Sequence, residues 1–160
     1  MAKTARRWRV LSIAGIYLLA LVLTAAGVRQ LAAATGDYTQ AQAAAGRQVF
    51  TQHCAKCHGA QLQGLACPPL AGPKFAGDLA YSKMSAQQLF NFIKTQMPAD
   101  KPASLNDQQY LLSLAYILAK NGYPAGTTPL SEQTLGRVKL LPYPGSSGAQ
   151  HNNQASTQSR

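Results

Sequence analysis

The run Cys54-Ala55-Lys56-Cys57-His58 sets two thiols three residues apart, with an imidazole directly after the second. On one helical turn such thiols can add to the two vinyl groups of a haem, and the imidazole then lies below the iron. This spacing reads as c-type haem attachment. Three other chemistries use part of the same pattern. A zinc site needs a second pair of ligands, and outside the motif only His53, Cys67 and His151 are left to supply it. A thioredoxin-like redox pair wants a strand–helix setting, and a structural disulfide leaves Cys67 and His58 unexplained. One covalent haem c per chain uses every chemically active residue of the motif, and it is the expected cofactor.

A haem iron has two axial positions, one of which would fall to His58. Methionine at the other raises the reduction potential, because a soft thioether favours the ferrous state. Outside Met1 the candidates are Met84 and Met97. Met84 sits just before a helix start, where a surface or core role is equally natural. Met97 follows a helix and precedes Pro98, in a turn rigid enough to aim a side chain, so Met97 is the expected second iron ligand. With both positions filled by protein, no site is open to substrate, and single electrons would pass through an exposed haem edge. No set of residues reads as a catalytic acid, base or nucleophile. Asp78, Asp100, Asp107 and Glu132 stand alone in helix-start or loop contexts, His53 reads as an exposed residue near the haem rim, and His151 lies in the tail. The expectation is an electron carrier, not an enzyme.

The elements that must position these residues are helical. An alanine-rich segment from about Gln40 to His53 leads into the motif. The stretch Gly59 to Asp78 contains Gly64, Pro68, Pro69, Gly72, Pro73 and Gly77, a density that predicts a structured loop. Ser85 with Gln88 makes a capping-box start for a second helix, which Pro98 ends. Ser104 with Asp107 is the expected start of a third, running to about Asn121. Its Tyr110, Leu111, Leu114, Ile117 and Leu118 form one apolar stripe. Asn121-Gly122 and Pro124 stop it, and Pro124 to Tyr143 reads as an extended segment wrapping the domain. No strand alternation and no internal repeat is visible, which predicts an all-α chain.

Length and charge bound the rest. At 160 residues the chain holds one ordinary domain, and aromatic residues make up only 8%. The net charge of +10 first suggests an acidic partner such as nucleic acid. Lys3, Arg6, Arg7 and Arg9 cluster ahead of an apolar run, however, and from Thr35 onwards ten Lys and Arg face five Asp and Glu. The lysines there are scattered singly and lack interleaved aromatics, so no nucleic-acid partner is expected. Val10 to Val28 give nineteen uncharged residues after that basic start. This is the layout of an export signal or a membrane anchor. A spanning helix needs about 17–25 residues, whereas a cleaved signal has an apolar run of about 7–15. Small residues at Ala32-Ala33-Ala34 and Thr24-Ala25-Ala26 keep cleavage open. The expected organisation is a signal peptide or anchor over 1–34, a cofactor-binding domain over 35–144 and a disordered polar tail over 145–160. The folded domain is expected on the periplasmic side of a bacterial inner membrane, either anchored there or released.

From Thr35 to about Leu141 the sequence resembles class I monohaem cytochromes c. Gly46-Arg47-Gln48-Val49-Phe50 with Cys54 to Gly59 looks like that family's first helix and haem motif. Pro68-Pro69-Leu70-x-Gly72 looks like the following loop, and Phe92-Ile93-x-x-x-Met97-Pro98 like the methionine loop. The resemblance implies an all-α fold around one covalent haem, with an N-terminal hydrophobic helix ahead of it. It also implies that Gly46 allows a close crossing of the first and last helices, with Tyr116 packed there. The Pro68 carbonyl would accept from His58 Nδ1, and Leu70 would press on the haem. Ala115 to Pro124 is similar to a narrower group, the cytochromes associated with bacterial quinoprotein dehydrogenases. Redox partners such as a periplasmic dehydrogenase or a terminal oxidase are implied. Other roles left open are a haem subunit within such a complex and, if Met97 does not ligate iron, a gas-binding haem protein. Cys67 departs from the family, which commonly has glycine before that proline; it reads as a small buried hydrophobe, with a free thiol or an intermolecular disulfide as the other reading.

Overall fold

A computed structural model describes residues 36–144. The expected signal or anchor over residues 1–34 and the expected tail over 145–160 lie outside the described residues. The described residues form five α-helices and one 3-10 turn and contain no β-strand: α1 (Gln40–His53), α2 (Ala55–His58), α3 (Gly72–Ser82), α4 (Ala86–Gln96), α5 (Asp107–Lys120) and η1 (Leu135–Arg137). Among them no helix is long and apolar enough to cross a membrane.

α1 starts with a reciprocal cap. Thr39 Oγ1 accepts from the Gln42 amide at 3.2 Å, and Gln42 Oε1 accepts from the Thr39 amide at 3.1 Å, which satisfies two of the donors a helix start leaves open. α1 crosses α5 at Gly46. A Cβ built there would lie 1.9 Å from the Leu112 carbonyl oxygen, so only a residue without a side chain lets the two backbones meet. Beside the crossing, the Phe50 and Tyr116 rings tilt together with centroids 5.4 Å apart. Phe50, Leu114 and Ala115 are fully buried, which places the core along this seam.

Two helix starts differ from expectation. The glycine- and proline-rich stretch does not stay a loop to Asp78, because α3 begins inside it at Gly72. Pro73 falls in the first turn, where its missing N–H is not needed, and Phe75 and Leu79 are four residues apart and buried. α5 starts two residues later than Ser104 would have it. Asn106, not Ser104, is the cap: its Oδ1 accepts from the Gln109 amide at 2.9 Å, and Gln109 Oε1 accepts from the Asn106 amide at 3.0 Å. An amide side chain at the third helical position completes the box as well as a carboxylate does, and Asp107 contributes its charge to the first turn. The Ser85–Gln88 box of α4 forms as its sequence implies.

Residues 124–144 run around the domain with only η1 as regular structure. Leu130, Leu135, Val138, Leu140 and Tyr143 of this strap are buried. It is tied to the start of α1: the Gln42 side-chain amide both donates to Leu130 O and accepts from Leu130 N, at 2.8 Å each. Tyr38 adds its hydroxyl to Tyr123 O at 2.7 Å, and its carbonyl accepts from Gly126 N at 2.7 Å.

Candidate cofactor site

α1 delivers the motif without a break in hydrogen bonding. Cys54 caps α1 with its amide on Phe50 O at 2.8 Å, and α2 then carries Cys57 and His58 on a single turn. His58 N bonds Cys54 O at 3.0 Å, and Gly59, at φ +77°, turns the chain away. The next segment folds back on the motif. Gly64 N donates to His58 O at 2.8 Å, while Leu65 N and Cys67 N both donate to Cys57 O at 3.1 Å. This return brings the Pro68 carbonyl to His58 Nδ1 at 2.8 Å. A proline carbonyl can only accept, so Nδ1 carries the proton and Nε2 keeps its lone pair. The ring is thereby fixed in rotation and in tautomer.

The same return places Leu70, and Asn121 at the end of α5 holds it. Asn121 Nδ2 donates to Leu70 O and to Ile117 O, both at 2.8 Å, and its Oδ1 accepts from the Tyr143 hydroxyl of the strap. On the opposite side α4 ends at Met97, whose amide still bonds Ile93 O at 3.0 Å. The loop that follows closes on itself through Lys101 N to Pro98 O at 2.9 Å and Ala103 N to Met97 O at 3.3 Å. Buried Tyr110 anchors it from α5: its hydroxyl donates to Met97 O at 2.7 Å and accepts from Leu105 N at 3.2 Å.

These two sides enclose a cavity of about 310 Å³, within the roughly 300–1,000 Å³ of cofactor sites. Cys54, Cys57, His58, Pro68, Leu70 and Met97 all line it. Met84 is not among its lining residues. The remaining walls are overwhelmingly apolar: Phe50, Phe92 and Ile93 come from the segments that carry the family resemblance, while Phe75 of α3, Leu89 of α4 and Ile117 of α5 are marked by no haem motif. The Ser113 hydroxyl of α5 also reaches the cavity and is buried outside hydrogen-bond geometry with any protein group. It lies beside the Cys54 thiol and eases its ionisation, but burial dominates and, with Cys57 nearby, pushes that thiol up to about 11. Burial and contact with Cys57 likewise push the Cys67 thiol upward. His53 is half-buried at the cavity instead of fully exposed.

The acidic side chains do not stand alone. Lys56 meets Asp100 at 3.5 Å, Lys74 meets Asp78 at 3.0 Å, and Lys94 bridges Asp107 at 2.8 Å and Glu132 at 3.3 Å. Sequence spacing exposes the Lys74–Asp78 pair, four apart on a helix, only once α3 is recognised. The other pairs join distant elements. The Asp107 partner holds Lys94 above its ordinary range, and Lys94 in turn holds Asp107 below the usual carboxylate range.

The donor set fits a covalently attached haem. Two thiols, an imidazole with one free nitrogen and a thioether share one apolar cavity, and this is what a macrocycle already filling four iron positions requires. It does not fit a bare ion: among the described residues no group of three or more His, Cys, Asp or Glu is arranged to hold a metal. The strand–helix setting of a thioredoxin-like pair is absent from the described residues as well.

Comparison with known proteins gives two matches. Residues 41–117 match the family described as "Cytochrome C oxidase, cbb3-type, subunit III". In fold the chain is similar to a chain in the crystal structure of the sulfane dehydrogenase SoxCD from Paracoccus pantotrophus. The TM-score is 0.50, with 22% identity over 74% of this chain. This chain spans 64% of that chain's length. No curated protein matches the sequence.

Proposed function

Residues 41–117 being a cytochrome c domain with covalently bound haem c, we propose that the protein relays single electrons between a dehydrogenase and the respiratory chain on the periplasmic side of a bacterial inner membrane. Haem c, when bound, supplies a one-electron iron couple. In this reading Cys54 and Cys57 would hold the group by thioether bonds, and His58 and Met97 would be the protein ligands of its iron. The Pro68 carbonyl fixes the His58 ring and strengthens Nε2 as a donor. Leu70, Phe75, Leu89 and Ile117 exclude water and keep the surroundings low in dielectric. Tyr110 sets the position of Met97 through its carbonyl.

The observation that carries this reading is that His58 and Met97 line one apolar cavity with both motif thiols, while Met84 does not. Two protein ligands close the iron to substrate, which makes the protein a carrier rather than a catalyst. Met97→Ala should lower the reduction potential and allow the reduced protein to bind carbon monoxide tightly. Rapid, tight binding by the unaltered protein would instead support a gas-binding haem protein. The amino-terminal nineteen-residue uncharged run supports attachment to the membrane or export across it.

A second reading is a haem subunit resident in a larger complex, favoured by the matched family being named for an oxidase subunit. The alternative donor of this kind is a quinoprotein dehydrogenase, as Ala115 to Pro124 implies. Detergent extraction from native membranes separates these readings: a carrier migrates alone, and a subunit stays with its oxidase or dehydrogenase.

A further inference from the structure

We infer that Cys67 is a third thiol of the attachment site, forming with Cys57 a disulfide that withholds Cys57 from haem until it is reduced. The inference rests on the reading of Cys57 as a haem-attachment residue. Three cysteines line the one cavity, and all three are free thiols. They are not equivalent. The Cys54 side chain lies beside Ser113 of α5 with Cys57 nearby, whereas the Cys67 thiol is in direct hydrogen-bonding contact with the Cys57 thiol. The backbone enforces this second pairing, because Cys67 N donates directly to Cys57 O at 3.1 Å. A direct main-chain bond keeps two Cα atoms within about 6 Å, inside the roughly 4.4–6.8 Å that a disulfide spans. Leu65 N to Cys57 O and Gly64 N to His58 O close the same loop. Every one of these bonds lies within residues 57–67, so the two sulfurs are brought together without help from the distant helices.

The chemistry is thiol–disulfide exchange with a disulfide oxidant, as an exported chain would meet. One thiol attacks the oxidant and releases a thiol, and the second thiol then displaces the remaining half. The S–S bond of the oxidant breaks, the Cys57–Cys67 bond forms, and two thiols leave carrying the two protons. While that bond stands, Cys57 has no S–H to add to a vinyl group. Reduction restores both thiols, and after haem attachment Cys67 alone remains free.

The full-length chain made without haem and equilibrated with oxidised glutathione tests the pairing directly. Cleavage after Lys and Arg separates residues 48–56, which hold Cys54, from residues 57–74, which hold Cys57 and Cys67. The expected result is alkylation at Cys54 alone, with the 57–74 peptide intact and lighter by two hydrogens. A cross-linked pair of these peptides, or alkylation at both Cys57 and Cys67, overturns the inference. Cys67→Ser and Cys67→Ala should each raise the haem-loaded fraction several-fold in an oxidising medium and match the unaltered chain when a dithiol reductant is added. Loading equal to the unaltered chain in both media overturns the withholding step. The haem-loaded chain separates this from the underlying reading: peptides 48–56 and 57–74 joined through haem establish attachment at Cys54 and Cys57, whatever the disulfide result.

Discussion

The histidine side and the methionine side of the cavity are built to different standards of fixation. Around His58 the chain folds back within ten residues. Six main-chain bonds tie residues 57–70 to themselves, the Tyr116 hydroxyl reaches Ala60 O at 3.1 Å, and Asn121 grips Leu70. Around Met97 the following residues Ala99 to Ser104 are exposed, and one tyrosine hydroxyl carries the connection to α5. The only bridge from that loop to the motif helix among the described ion pairs is Lys56–Asp100, whose side chains are 85% and 63% exposed. Pairs so exposed contribute little, since water and salt screen them. With His58 and Met97 as the iron ligands proposed above, exchange at the iron should be decided on the methionine side, with the histidine side as the fixed wall.

Breaking the fixed wall should have the largest effect. Gly46→Ala drives a Cβ into the Leu112 carbonyl and forces α1 and α5 apart, which should cost about 3 kcal/mol in chemical unfolding. An unchanged unfolding midpoint would remove the crossing as the foundation of the site. Asn121→Ala leaves Leu70 O without its side-chain donor and the buried Tyr143 hydroxyl without its Asn121 acceptor, for a loss of about 2 kcal/mol read by thermal unfolding. Tyr110→Phe sharpens the contrast. It should cost only about 1 kcal/mol in stability yet speed imidazole binding to the oxidised protein by roughly fivefold. Equal exchange rates would mean that the loop is held by something other than this hydroxyl.

The smallest effect is expected at Lys94, where the sign depends on pH. Asp107 is held below the ordinary carboxylate range by Lys94, so its contribution is present at neutral pH and lost as pH falls through that range. Lys94 is held above its ordinary range, so its contribution is lost as pH rises past it. Asp107→Asn should therefore be slightly less stable than the unaltered protein at neutral pH and equal to it in acid. A gap that persists in acid would point to lost helix capping instead.

What could be read in the sequence was what is local. Gln40 to His53, the Ser85–Gln88 box, the stop at Asn121-Gly122 and the attachment spacing each depend on residues a few positions apart. α3 escaped because glycine and proline density argues for a loop, while the deciding fact is positional: Pro73 sits in the only turn of a helix that tolerates it. The start of α5 was misplaced because a box closed by glutamine at Gln109 competes with one closed by aspartate at Asp107. Within the site, the motif residues and Met97 carried signals of type and spacing. Tyr110 was legible only as part of an apolar stripe, Asn121 only as part of a helix stop, and Ser113 not at all. They matter only through partners brought close by the fold, such as Met97 O, thirteen residues from Tyr110.

The strap has a consequence for the order in which the domain can assemble. Tyr38 and Gln42 find their partners 85 and 88 residues further along the chain. Pairing across such spans closes almost the whole domain into one loop, a large entropy loss for a few bonds. α1 can therefore form early as a capped helix, but its first turn stays unsealed until Leu130 arrives. The two ends of the domain act as a clasp, and the structure is complete only when it fastens.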